Sequence, residues 1–149
     1  MNTRLFAKHE IIGDPIDFLN GVCDVTVIVS IGSCISDERR GHFRTIMFYN
    51  DRIKLFEDNI ETNSANVCIL QGMLSAIRYI KKPTSIYLVS GAPLGFHSGK
   101  SPNRSLCEQI YLEVVQKSCT AEIIEIPGKA EELKLFVNTK LLLANKNNT

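Results

Sequence analysis

The chain has 149 residues, of which 44% are hydrophobic and 22% charged, with a formal net charge of +1. These values describe one ordinary domain able to bury a core of two or three layers; they exclude wholesale disorder and any bulk electrostatic drive toward nucleic acid or acidic membrane. No apolar run reaches the ~18 residues of a membrane span, and the opening MNTRLFAKHEIIGDP lacks the apolar stretch of a secretory signal.

Five cysteines, an odd number with no C-x-x-C pair, point to reduced thiols in a cytoplasmic protein rather than a disulfide frame or zinc site. Cys23, Cys68 and Cys107 lie in predominantly apolar sequence, in keeping with that reading.

Residues 1–22 read as an N-terminal extension packed on the domain, with a short helix over Pro15–Leu19 started by Asp14-Pro15 and ended by Asn20-Gly21. The run Asp24–Ile35, DVTVIVSIGSCI, is rich in β-branched residues, with Val25, Val27, Val29 and Ile31 at period two and a partly apolar second face. It reads as a central strand covered on both sides. Ser36–Gly41 is a charged turn, His42–Tyr49 a second strand, Asn50-Asp51 a hairpin turn and Arg52–Asp58 a third strand.

The period changes after Thr62. Val67, Leu70, Met73, Leu74, Ile77 and Ile80 fall at helical spacing, which predicts a helix over Asn66–Lys82, capped by Thr62, Asn63 or Ser64 and stopped by Pro83. Ser85–Val89 is a fourth strand, parallel to an earlier one because a helix crosses between them. Gly91–Asn103 is a Gly- and Pro-rich loop, Ser105–Ser118 a second long helix, Ala121–Ile126 a fifth strand and Glu131–Ala144 a third helix. The expected fold is α/β, a five-stranded mixed sheet in the order βββαβαβα flanked by helices, over residues 23–145, with 146–149 a disordered tail.

This order resembles ribonuclease H, and the residues carry the likeness too. The Gly-Ser-Cys that ends the first strand is similar to the family's D-G-S-[AC] turn. GHFRTIMFYNDRIKL resembles its second and third strands, GMLSAIRYIKK its A-x-x-x-A-L-x-x-L helix, and NRSLCEQIYLEVVQ its long helix before the last strand. AEIIEIPGKAE falls where the family has its W-V-K-G-H-x-G strand and loop. The resemblance implies a site of four acidic residues holding two divalent metals ~4 Å apart, one activating water and the other stabilising the leaving oxygen.

At the matching positions stand Ile31, Ile69 (or Cys68 if the register slips by one), Gly91 (or Ser90) and Asn138, with Lys129 in place of the loop histidine. None is a carboxylate, and Ile31 fills the expected metal pocket with hydrocarbon. Asp24 lies seven residues too early, Glu61 precedes the helix, and Glu131 and Glu132 lie about two turns before the expected acid. The resemblance therefore implies a domain that has lost its metal site and acts by binding RNA, an RNA–DNA hybrid or a protein, with no resident cofactor. Residues expected to approach a nucleic-acid backbone are Arg39, Arg40, Asn66, Lys100 and Arg104. The alternatives are a divergent nuclease, using Mg or Mn through relocated acids, and a structural subunit or homodimer built on the exposed edge of the strand meander.

Two other constellations carry residue types suited to chemistry. GFHSGKS, Gly95–Ser101, follows a strand and precedes a helix as a phosphate loop would, but it has one residue too few between its glycines, and Pro102 interrupts the helix start. It reads as a surface loop. His97 reads as a solvated loop histidine with no acidic orienter.

Overall fold

The computed structural model describes residues 5–11 and 13–147. The elements run β1 (Ala7–Glu10), α1 (Pro15–Asn20), β2 (Thr26–Ile35), β3 (Arg40–Tyr49), β4 (Arg52–Glu61), α2 (Ala65–Tyr79), β5 (Ser85–Ser90), α3 (Arg104–Gln116), β6 (Thr120–Glu125) and α4 (Ala130–Asn147). One mixed sheet holds all six strands in the order β1-β6-β5-β2-β3-β4. β2, β3 and β4 form an antiparallel meander, whereas β5 lies parallel to β2, β6 parallel to β5, and β1 parallel to β6.

The sheet therefore has six strands, not the five expected. The sixth comes from the segment read as an N-terminal extension: Ala7–Glu10 pairs with Glu122–Glu125 and covers what would otherwise be the bare edge of β6. All four of its residues are exposed, so it carries no apolar alternation by which the sequence could announce it. Smaller corrections concern element ends. α2 stops at Tyr79, short of Lys81 and Lys82, while α4 continues through Asn147 into the residues read as a tail; the remainder of that tail lies outside the described residues.

β2 is the central strand and is buried on both faces. Ile28 joins the cluster under α2 and α3, with Leu70, Met73, Leu74, Ile77 and Ile110. Val27 and Val29 join the cluster under α1 and α4, with Leu19, Leu133, Phe136 and Val137. The helix α2 lies close on the sheet because three glycines remove side chains at the contact. A Cβ at Gly32 would stand 2.7 Å from the Cys68 Cβ, and one at Gly41 2.6 Å from the Cys68 Sγ. One at Gly72 would run into the Thr45 hydroxyl.

All five cysteines are free thiols. Cys68, Cys107 and Cys119 are buried, and Cys23 is exposed in the segment between α1 and β2. Burial pushes the Cys107 thiol up to about 12, with Glu108 adding to the rise and Arg104 opposing it; Cys68 is raised, also mainly by burial. No helix among the described residues is long and apolar enough to cross a membrane.

Candidate functional site

The sheet topology itself opens a crevice. β2 pairs with β5 only over Thr26–Val29 against Ile86–Val89, yet β2 runs on to Ile35 paired with β3 alone. From Ser30 onward its β5 side is therefore unpaired, at the point where the chain order reverses on either side of β2. Open α/β sheets take ligands outside the carboxyl ends of their strands at such a point.

A cavity of about 480 Å³ lies there. Its lining includes Ile31, Ile69, Gly91 and Asn138, so the four positions matched to acidic residues from sequence meet in one place. They arrive from four elements: the end of β2, the first half of α2, the loop after β5 and the third turn of α4. Glu131 is the one carboxylate in the lining, and Ile31, Ile69, Ala92, Ala130 and Leu133 give it an apolar floor. Among the described residues no group of three or more His, Cys, Asp or Glu side chains is placed to hold a metal ion. Backbone packing also narrows one position, since a Cβ at Gly91 would stand 3.2 Å from the Ala130 Cα.

Polar groups from the meander complete the wall. Cross-strand register puts Ile31 opposite Arg44, and Arg44 opposite Glu57; directly opposed residues share a face of the sheet. Arg44 donates from Nε to Glu57 Oε2 at 2.6 Å and from Nη1 to Asn138 Oδ1 at 2.8 Å. His42 Nε2 lies 3.2 Å from the same Glu57 oxygen. Arg44 thus ties the sheet to α4 across the cavity. Lys134 stands one turn before Asn138 and also lines the cavity.

Two buried hydroxyls lock the floor. Ser30 Oγ donates to the Ile69 carbonyl at 2.7 Å and lies 2.7 Å from the Thr45 hydroxyl. Ser30 and Thr45 are 1% and 0% exposed.

The five residues expected on a nucleic-acid face are dispersed in their contacts. Arg39, whose φ of 48° puts it in the left-handed region, pairs with Glu61 at 3.8 Å, and Arg40 pairs with Glu38 at 2.7 Å. All four line a second groove along the β2–β3–β4 end, so its basic charges are offset locally. Asn66 Nδ2 reaches the Pro93 carbonyl at 3.5 Å. Arg104 turns inward, donating to the Phe96 carbonyl at 3.0 Å and to Glu108 at 3.2 Å. Lys100 is exposed and has no ion pair among the described residues.

In the GFHSGKS loop the carbonyls of Gly95 and Phe96 accept from Arg104, and that of Phe96 also from the Leu5 amide. His97 is not a free loop side chain, because its Nε2 lies 2.7 Å from the Phe6 carbonyl and pins the N-terminal segment.

The sequence patterns single out none of His42, Arg44 and Lys134 as site residues, and they leave Glu131 about two turns short of the expected acid. Two signals for them were present: Glu131, Lys134 and Asn138 follow an i, i+3, i+7 stripe on one helix face, and the hairpin turn at Asn50-Asp51 sets Arg44 against Glu57.

Searches against protein-family models and curated proteins return no match to the chain.

Proposed function

We propose that this chain is a ribonuclease H-like domain in which the two-metal site has been replaced, and that it works by binding rather than by metal-dependent hydrolysis. The reading is carried by one observation: Ile31, Ile69, Gly91 and Asn138, aligned to the family's acids by sequence alone, line a single cavity at the carboxyl ends of the strands. Convergence of four independently assigned registers supports the resemblance. The residue types at those positions argue against its chemistry, since a hard divalent cation requires several oxygen ligands and charge compensation. Two isoleucines, a glycine and an arginine-bound asparagine supply neither.

Nucleic acid is the first partner class under this reading. The test is a manganese titration by calorimetry beside a cleavage and binding assay on a labelled RNA–DNA hybrid. The expected result is no stoichiometric metal heat, no cleavage, and hybrid binding that weakens as salt rises. Stoichiometric metal binding with cleavage would overturn the proposal.

A protein partner or a second copy of the chain is favoured by a separate feature. Leu135, Leu142 and Leu143 on α4 are 59%, 59% and 54% exposed, and Leu142 borders a groove with Ile53, Leu55 and Leu141. Light scattering that gave a dimer mass, lost on changing Leu142 and Leu143 to Ser, would shift the reading to this second class.

A further inference from the structure

The cavity at the end of β2 has a donor surplus that the loss of a metal site does not by itself explain. Arginine carries five N–H donors, and Arg44 commits one to Glu57 and one to Asn138. Because arginine only donates, the Asn138 atom facing it is the carbonyl oxygen. The Asn138 amide group is thereby turned away with two donors that have no partner among the described residues. The Glu57 oxygen that faces the cavity wall already serves both Arg44 and His42. Lys134, exposed, has no ion pair among the described residues. Against this stands the single unpaired carboxylate of Glu131.

We propose that this cavity is a binding site for a small organic oxyanion, a phosphate or carboxylate head on a compact, less polar body. The head meets Arg44, Asn138 and Lys134; the body rests on Ile31, Ile69 and Leu133. A guanidinium held in place by Glu57 and Asn138 is preorganised to meet a planar or tetrahedral oxyanion through two parallel N–H donors. The volume of about 480 Å³ is within the range of small-molecule sites, which pair an apolar lining with a few convergent polar groups. In this arrangement side chains supply the positive charge, and a divalent cation has no place in the complex. The site stands on the cavity and its donors, independently of the family resemblance.

The test is calorimetry with adenosine 5′-monophosphate, adenosine, inorganic phosphate and benzoate, each without metal. Binding of the monophosphate or of benzoate below about 1 mM, with adenosine bound at least about tenfold more weakly than the monophosphate, supports the site, and whichever of the two binds identifies the head. Arg44→Gln is expected to weaken that binding at least about tenfold. Lys134→Gln should weaken it several-fold, while Glu131→Gln should strengthen it. The last two are exposed changes away from the core, so they keep the test open if Arg44→Gln does not fold. Adenosine bound as well as its monophosphate, no binding by any oxyanion probe, or an affinity unmoved by Glu131→Gln would each overturn the site. Hybrid binding without oxyanion binding would sink this inference and leave the family reading standing; metal-free oxyanion binding in a protein that also binds manganese stoichiometrically and cleaves the hybrid would do the opposite.

Discussion

Replacing Gly72 by alanine sets two physical terms against each other, and the structure decides the sign. Helix propensity alone favours alanine over glycine by about 1 kcal/mol in a helix interior, and Gly72 lies in the middle of α2. The added methyl, however, would overlap the Thr45 hydroxyl and stand 2.6 Å from Ser30 Oγ and 3.0 Å from a Phe43 ring carbon. None of these neighbours can yield cheaply: Phe43 is 4% exposed, and the two hydroxyls are buried and bonded to each other and to the Ile69 carbonyl. Overpacking of this kind costs ~1–3 kcal/mol, and stranding one buried hydroxyl costs ~1–3 kcal/mol more. Less the propensity gain, the expected loss is about 3 kcal/mol. For a chain of this length that is a fall in Tm of ~6–12 °C. Urea and thermal unfolding followed by circular dichroism measure it directly. The variant Ser30→Ala in the Gly72→Ala background should recover part of the loss, because it removes one of the two obstructing oxygens. A Gly72→Ala protein as stable as the parent, or more so, would refute the close approach of α2 to the sheet and with it the position of Ile69 in the cavity wall.

Other outcomes follow from named contacts. Installing acids at three of the four positions, Ile31→Asp with Ile69→Glu and Asn138→Asp, should lower Tm in the absence of metal, since it places charge in a lining where Ile69 is 8% exposed. Manganese should restore it, by about 2.7 kcal/mol at a hundredfold excess over Kd; no metal-dependent shift in Tm would count against the convergence of these positions. Gly91→Asp should be the least tolerated of the four, because its side chain starts 3.2 Å from the Ala130 backbone; a Gly91→Asp Tm equal to that of Asn138→Asp would contradict this. Phe6→Ala should cost ~3–5 kcal/mol, since Phe6 is 8% exposed and packs against Phe96 and Tyr111; urea unfolding reads the loss. For Cys107 the folded thiol is pushed up to about 12 by burial, whereas the unfolded thiol titrates near its ordinary value. The folded state thus holds the proton while the unfolded state loses it, and stability falls as pH rises from about 9 toward 12, by up to about 1.4 kcal/mol per unit. Cys107→Ala should flatten that slope, as Tm measured across the window would show.

How much of this was legible in the sequence depends on whether a signal was local. The period-two run of β2 and the helical spacing of α2 are local, and both elements formed within a few residues of their expected ends. Ile31, Ile69, Gly91 and Asn138 each lie on or beside an element with its own local pattern, and they line one cavity. Strand β1 was not legible, since its four exposed residues are held only by backbone pairing to β6. Arg104, expected near a nucleic-acid backbone, turns inward because the loop before α3 folds back and brings the Phe96 carbonyl to its guanidinium. In the first miss the partner strand is more than 100 residues away; in the second the partner is a backbone carbonyl eight residues upstream, whose direction no side-chain pattern encodes.

The same distinction separates what specifies the fold from what specifies the chemistry of the crevice. The elements that build the crevice are specified by patterns spread over many residues: the alternation in β2, the glycines beneath α2 and the apolar stripe of α4. The chemistry within it rests on a handful of positions that those patterns leave open. Ile31 follows the period of Val27 and Val29, so hydrocarbon at that position extends the β2 face and adds apolar contact rather than charge. Asn138 gains a bond to Arg44 that fastens α4 to the meander. Both residues therefore favour the folded state, whereas carboxylates at the same points would repel one another until a cation bound. Hydrocarbon and a hydrogen-bonded amide at these two positions therefore add to stability, where acids would subtract from it. The cavity persists because the topology of β2 and β5 leaves it unpaired, whatever side chains line it.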